Sequence, residues 1–299
     1  MLGNSIAVLL ALCAAIFMAV GIVVRQRATL DVPAGKGVST VMLRTLLRRK
    51  LWWAGTISAV MGYGFQALAL GFGSLLLVQP VLVSALLFAL PLSARLAHRT
   101  VSRADWMWAL LLTGALTVFV LLARTSTGTY SVSVSTTVTV AVVCTSVVAL
   151  CVVLATRSSN WRRAVLLAAA VGVMFGVVAV LTKIVMHMVA DGDVLATFTT
   201  PALYLVVVLG VLATLLQQSA FHAGSLQTSV PTMLVLEPVV AVLLGSVVLG
   251  EHLSIAGWQP VALTLAIAAM IAATIALGRD EGAYEETLEA EMEAKTVTG

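Results

Sequence analysis

The chain has 299 residues, 61% of them hydrophobic and only 10% charged, and its mean hydropathy is +1.08. A soluble core of this size has no use for that much apolar surface, so a soluble globular protein is excluded and an all-α polytopic membrane protein is expected. The net charge of +4 hides a segregation: from Arg279 onward seven acids face two bases, whereas residues 1–278 carry fifteen bases and six acids, the mark of membrane topology rather than of nucleic-acid binding.

Apolar runs of bilayer length lie at about 5–24, 52–72, 74–94, 106–123, 130–155, 164–188, 202–222, 225–249 and 258–277. The first has no basic segment before it and is followed by Arg25 and Arg27, which fits an uncleaved first span with its N-terminus outside. Nine spans then place the C-terminus in the cytoplasm. In that orientation the cytoplasmic segments collect Arg25, Arg27, Lys36, Arg44, Arg48, Arg49 and Lys50, then Arg95, Arg99 and Arg103, then Arg157, Arg162 and Arg163, then Arg279 and Lys295. Those are fifteen of the seventeen bases, with only Arg124 and Lys183 elsewhere, so the positive-inside rule selects this topology. The stretch from Thr125 to Thr139 alternates as a strand does, but it runs on as apolar sequence to Ala155 and reads as a polar entry into the fifth span. Residues 1–277 form one transmembrane domain. Residues 278–299 form an acidic cytoplasmic tail, expected to be disordered or a frayed helix because few apolar residues are there to dock it.

An internal repeat organises the domain. Gln66 to Pro80 reads QALALGFGSLLLVQP and Gln217 to Pro231 reads QQSAFHAGSLQTSVP. At an offset of 151 the two share Gln66/Gln217, Ala69/Ala220, Gly73/Gly224, Ser74/Ser225, Leu75/Leu226 and Pro80/Pro231; one residue of slippage later, Ser102 matches Ser254 and Trp106 matches Trp258. Repeat one covers about 5–123, the run at 130–155 is a linker span, and repeat two covers about 164–277. Five spans separate the copies, so equivalent helices run in opposite directions, a ground plan of secondary transporters.

The segment Leu236-Glu237-Pro238-Val239-Val240-Ala241-Val242-Leu243-Leu244-Gly245, followed by Leu249-Gly250-Glu251-His252-Leu253, resembles the penultimate helix of EamA-type members of the drug/metabolite transporter superfamily. In the first copy, Trp52-Trp53-Ala54-Gly55 and then Gly73-Ser74-Leu75-Leu76-Leu77-Val78-Gln79-Pro80 are similar to the NIPA-like magnesium transporter branch, which has nine spans and an external N-terminus. The resemblance extends to about residue 277. It implies a transporter fold, while the short apolar motifs leave the substrate open. The final helix of ten-span relatives is missing, and the acidic tail stands in its place.

Glu237 is the leading candidate for chemistry. An acid in mid-span costs roughly 2.5–3.5 kcal/mol on insertion scales, and such residues mark substrate or proton paths. Pro238 follows it, and Pro80 and Pro231 are matched prolines that each remove a backbone donor; all three are candidate helix breaks. Gln66 and Gln217, with Gln79 and Gln218 near them, offer amides for a polar substrate or for helix association, and Tyr63 lies three residues before Gln66 on its face. Lys183 and His187 stand one turn apart near the outer end of the sixth span; a Lys183–Glu237 ion pair is one arrangement, snorkelling to the interface the other. Cys13, Cys144 and Cys151 all lie in apolar runs and give neither a disulfide framework nor a metal site.

No phosphate loop, zinc spacing or nucleophile elbow appears, so no enzyme and no cofactor is expected. The expected function is secondary transport of a small polar metabolite or drug, coupled to protons at Glu237. The alternatives are a magnesium or other divalent-cation transporter, a flippase for a lipid-linked sugar or phospholipid, and a non-transporting scaffold whose tail binds a partner. The expected setting is the plasma (inner) membrane, with the bilayer and a small-molecule or ion substrate as partners, no nucleic acid, and a homo-oligomer compatible with the sequence.

Overall fold

The computed structural model describes residues 2–30, 48–96, 101–122, 125–126, 134–158, 160–192, 194–222, 226–253 and 257–298. The helices are α1 (Leu2–Leu30), α2 (Lys50–Phe72), α3 (Leu75–Leu82), α4 (Ala85–Leu96), α5 (Arg103–Leu122), α6 (Val134–Thr156), α7 (Asn160–Ala190), α8 (Val194–Thr199), α9 (Pro201–His222), α10 (Leu226–Val248) and α11 (Gln259–Thr298). Two short strands, β1 (Thr125–Ser126) and β2 (His252–Leu253), pair antiparallel. Among the described residues, six helical segments are long and apolar enough to cross a membrane, and Pro201–Gln217 and Thr232–Val248 are apolar over shorter lengths. The chain is an α-helical, multi-pass membrane protein.

Each expected apolar run falls on helix, with three departures. The run at 74–94 is two helices, broken at Val83–Ser84 where the i→i−4 ladder gives way to three-residue turns, Val83 N to Pro80 O at 3.2 Å and Ser84 N to Val81 O at 3.0 Å. Pro80 lies inside α3, three residues before that break, whereas α10 runs as one helix through both Pro231 and Pro238. Membrane helices accommodate proline where neighbouring helices and local adjustment re-satisfy the freed carbonyl. Secondly, Thr125–Ser126, expected to lead into the fifth span, pairs instead with His252–Leu253. Thirdly, α11 does not stop at the membrane end near Leu277: it carries the acidic tail, expected to be disordered or frayed, as helix to Thr298. The tail holds six Glu and three Ala, good helix formers, and extends a helix already nucleated by the span.

Small residues set the packing. Helix α1 buries the seam Ala7, Ala11, Ala14, Ala15 and Ala19, all without solvent exposure, and packs on α2, α3 and α4. Helix α7 packs on α6, α9 and α10, and α11 packs on α5 and α10. One apolar core joins α1, α2, α3, α5, the end of α10 and α11 through Ala11, Leu70, Leu75, Leu112, Leu249 and Leu277; a second joins α6, α7, α9 and α10 around Val171, Phe175, Ala213 and Met233. The outward faces are also apolar, as Val142 and Leu150 on α6, Val207 and Val211 on α9, and Leu110 and Leu121 on α5 show. Exposed apolar surface on this scale suits lipid, not water.

Where α7 crosses α10, only glycine fits. A Cβ on Gly176 would stand 2.7 Å from Val240 Cγ1, 2.8 Å from Val240 Cβ and 3.2 Å from Ala241 N; one on Gly172 would stand 2.9 Å from Leu236 Cβ. This is the close backbone approach that small-xxx-small spacing permits in membranes. Gly176→Leu is expected to destabilise the protein by about 1–3 kcal/mol through overpacking. Gly210→Leu, at a glycine with nothing within 4 Å, is expected to be near neutral. Thermal unfolding of the two variants in detergent compares them directly.

Candidate functional site

The polar residues converge on the break between α2 and α3. Helix α2 ends at Gly73, whose N–H donates to Ala69 O at 2.8 Å; Ser74 is extended (φ −77°, ψ 158°), and α3 starts at Leu75. A helix end leaves carbonyls unpaired and a helix start leaves N–H groups unpaired. Groups of both sets are buried here, and side chains from elsewhere in the chain meet them.

The carbonyls are taken by Lys183. From α7, its ammonium donates to Leu70 O and to Gly73 O, 2.5 Å each, and the side chain is 3% exposed. An N–H group is taken by Glu251, 1% exposed, whose Oε2 accepts from Leu76 N at 3.3 Å, and the Leu75 N–H also favours the carboxylate. Serine before a helix usually caps it with its own hydroxyl. Ser74 makes no such bond; a carboxylate 175 positions from Leu76 does it instead. A carboxylate suits a helix N-terminus and an ammonium suits a C-terminus, because each opposes the local end of the backbone dipole.

Local backbone explains how Glu251 arrives there. Gly250 has φ 64°, in the left-handed region that favours glycine, and ends α10 by turning the chain back so that Glu251 N donates to Gly245 O at 3.1 Å. Gly245 leaves space for the carboxylate: a Cβ there would lie 3.3 Å from Glu251 Oε2 and 3.2 Å from Leu75 Cβ. Glu251 lies beyond the end of the α10 span, and burial pushes its carboxyl above the usual carboxylate range, against the opposing pull of Lys183 and of the Leu76 and Leu75 N–H groups.

Hydrogen-bonding capacity remains unused around α3. Glu251 Oε1, Ser74 Oγ, Gln79 Nε2 and Ser84 Oγ are buried with no hydrogen-bond partner among the described residues. Gln79, 2% exposed, follows Leu75 by one helical turn, and helical side chains lean toward the N-terminus, that is, toward the break.

Other expected site residues are placed elsewhere. Glu237 is half-buried on α10 at the level of Gly172, where a Cβ would come within 3.3 Å of its backbone N. Among the described residues no hydrogen bond or ion pair holds its carboxylate. Lys183 follows Gly172 by eleven residues on α7, about 16 Å at helical rise. The expected Lys183–Glu237 pair is therefore not formed; the carboxylate that acts on Lys183 is Glu251. His187, one turn beyond, faces Asp191 at 3.6 Å. Gln66 is buried on the face of α2 that meets α1, whereas Tyr63 is 48% exposed, so the two do not line one cavity. Gln217 makes a 3.8 Å contact from Nε2 to Met233 Sδ. The side chains of Gln218 and Pro231 and the second Gly-Ser turn, Gly224-Ser225, lie outside the described residues.

An uncharacterized protein of Corynebacterium glutamicum is 37% identical to this chain over 279 residues, a match covering 93% of this chain and 96% of that protein. No family model matches the sequence, and no solved structure matches it. The match covers almost the full length of each protein, so the chain belongs to the family of that corynebacterial protein.

Proposed function

We propose that the chain is a secondary transporter of the drug/metabolite type, built as an inverted repeat of nine spans with its N-terminus outside, and that it moves a small polar solute by alternating access with proton coupling at Glu237. The observation that carries this reading is the pair Lys183 and Glu251, buried at a helix break inside an otherwise apolar bundle. Charges in membrane bundles are costly and mark substrate and ion paths, and interrupted helices supply the polar backbone groups of transporter sites.

The packing supports the repeat. Helix α1 packs on α2 and on α3–α4, and α7 packs on α9 and α10, which is the set of neighbours that exchanging the repeats would produce. Gly21 and Gly172, also 151 apart, both stand at crossings without room for a side chain: a Cβ on Gly21 would lie 2.8 Å from Ala59 N.

The coupling is tested in proteoliposomes holding a pH-sensitive dye, challenged with a panel of amino acids, amides and polyols. Wild type is expected to move protons when a transported solute is added. Glu237→Gln should abolish that movement while retaining membrane insertion and unfolding temperature. Proton movement that is unchanged in Glu237→Gln excludes the coupling role.

A further inference from the structure

Four buried polar atoms around one eight-residue helix have no partner among the described residues: Glu251 Oε1, Ser74 Oγ, Gln79 Nε2 and Ser84 Oγ. Buried polar atoms ordinarily find partners in the protein or in bound small molecules. These do not belong to groups that are loosely held. Glu251 is fixed through its other oxygen to the start of α3, Lys183 spends two of its three N–H groups on Leu70 and Gly73, and Ser74 is the residue of the break itself. The break is thus held by protein through some of its polar groups, while a carboxylate oxygen, a hydroxyl and an amide NH₂ around it keep hydrogen-bonding capacity to spare.

Charge narrows what such a site accepts. An ammonium at Lys183 and a carboxylate at Glu251 carry opposite signs, so together they contribute no net charge. A lone cation drawn to Glu251 meets the Lys183 ammonium, and a lone anion drawn to Lys183 meets the Glu251 carboxylate; both are buried, where like charges are poorly screened. A molecule with no net charge, presenting a donor to Glu251 Oε1 and an acceptor to Gln79 Nε2, meets neither repulsion.

We propose that the α2–α3 break is a binding site for a small net-neutral polar solute, a zwitterion or an amide, held by Glu251, Ser74 and Gln79, with Lys183 as the positioning residue that keeps the break open-ended. This rests on the transporter reading for its purpose and names the solute class for it. It also explains why the two charged residues come from α7 and from the end of α10, in the second half, while the broken helix belongs to the first: solute binding at this point registers how the halves sit against one another.

The test is ligand-dependent thermal unfolding of the purified full-length protein in detergent, followed by its tryptophan fluorescence. Glycine, glycine betaine and glutamine are the net-neutral probes; magnesium chloride and sodium phosphate at matched ionic strength are the single-sign probes. Anything that binds the folded state raises its midpoint. At least one neutral probe is expected to raise it in proportion to the logarithm of concentration, and the ionic probes are expected not to. Gln79→Leu should leave the unliganded midpoint close to wild type and weaken the apparent affinity about tenfold, the loss of one hydrogen bond. Should Gln79→Leu unfold, the smaller change Ser74→Ala supplies the comparison. Three results overturn the site: no neutral probe shifts the midpoint, meaning that water alone satisfies these atoms; magnesium or phosphate shifts it as much; or the substituted protein that folds keeps full affinity. Stabilisation without solute movement in proteoliposomes would keep the site and remove the transporter reading, while movement without stabilisation removes the site alone.

Discussion

Replacing Lys183 by Met is expected to destabilise the protein by about 3–5 kcal/mol, among the largest effects of any single substitution in this chain. The side chain is buried, and its loss strands three groups at once: the carbonyls of Leu70 and Gly73, and the carboxylate of Glu251, whose charge then has no counterpart. Glu251→Leu should cost a similar amount, because the Leu76 N–H loses its acceptor and the Lys183 ammonium loses its nearby opposite charge. Removing both should cost clearly less than the two losses added together, since the stranded-charge penalty vanishes when neither charge remains. The charge swap, Lys183→Glu with Glu251→Lys, is the sharper arm. An ordinary ion pair survives reversal. These two charges should not, because each answers a helix end of fixed polarity: carbonyls face position 183 and an N–H group faces position 251. Reversible unfolding in detergent or bicelles reads all four variants. A swapped protein with wild-type stability would falsify the assignment of these residues to the helix ends.

That geometry also shows what the sequence could and could not disclose. The helices were legible, because run length and lack of charge decide where a chain crosses lipid, and Leu70, Leu112 and Leu277 fell in apolar runs that pack as expected. The break at Gly73-Ser74 was legible too, as a Gly-Ser-Leu turn between two apolar runs. The role of Glu251 was not. Its neighbours in sequence, His252 and Leu253, read as a loop past the end of a span, and nothing local says that the carboxylate turns back to cap a helix 175 positions away. The one local signal was Gly250 before the acid, which in retrospect supplies the left-handed residue that makes the turn. Glu237 drew attention instead because hydropathy weighs only depth along the chain; it cannot say which carboxylate faces Lys183. The β1–β2 pairing was hidden for the same reason, since two-residue strands are made by what lies opposite them and carry no pattern of their own.

Gly73→Ala is expected to cost about 1–3 kcal/mol, and Ala7→Gly is expected to restore most of it. A Cβ on Gly73 would lie 2.5 Å from Ala7 Cβ, a contact no rotamer change can relieve because neither atom has a torsion to turn. It would also sit 3.5 Å from Ala69 O and from Val78 Cγ2, which are ordinary contacts. The clash is therefore with one atom of α1, and deleting that atom should remove it. Ala7→Gly alone should cost up to about 1 kcal/mol in helix propensity, so incomplete rescue by that margin is the expected result. Gly64→Ala, with nothing within 4 Å, serves as the control for adding a methyl to α2. The consequence reaches the site, because Gly73 sets where α2 stops: displaced from α1, the turn would carry the Gly73 carbonyl away from Lys183 and the Leu76 N–H away from Glu251. Gly73→Ala should accordingly lose the neutral-solute stabilisation along with its own stability, and the rescued double variant should regain both. Rescue of stability without recovery of binding would mean that α1 positions the fold but not the site.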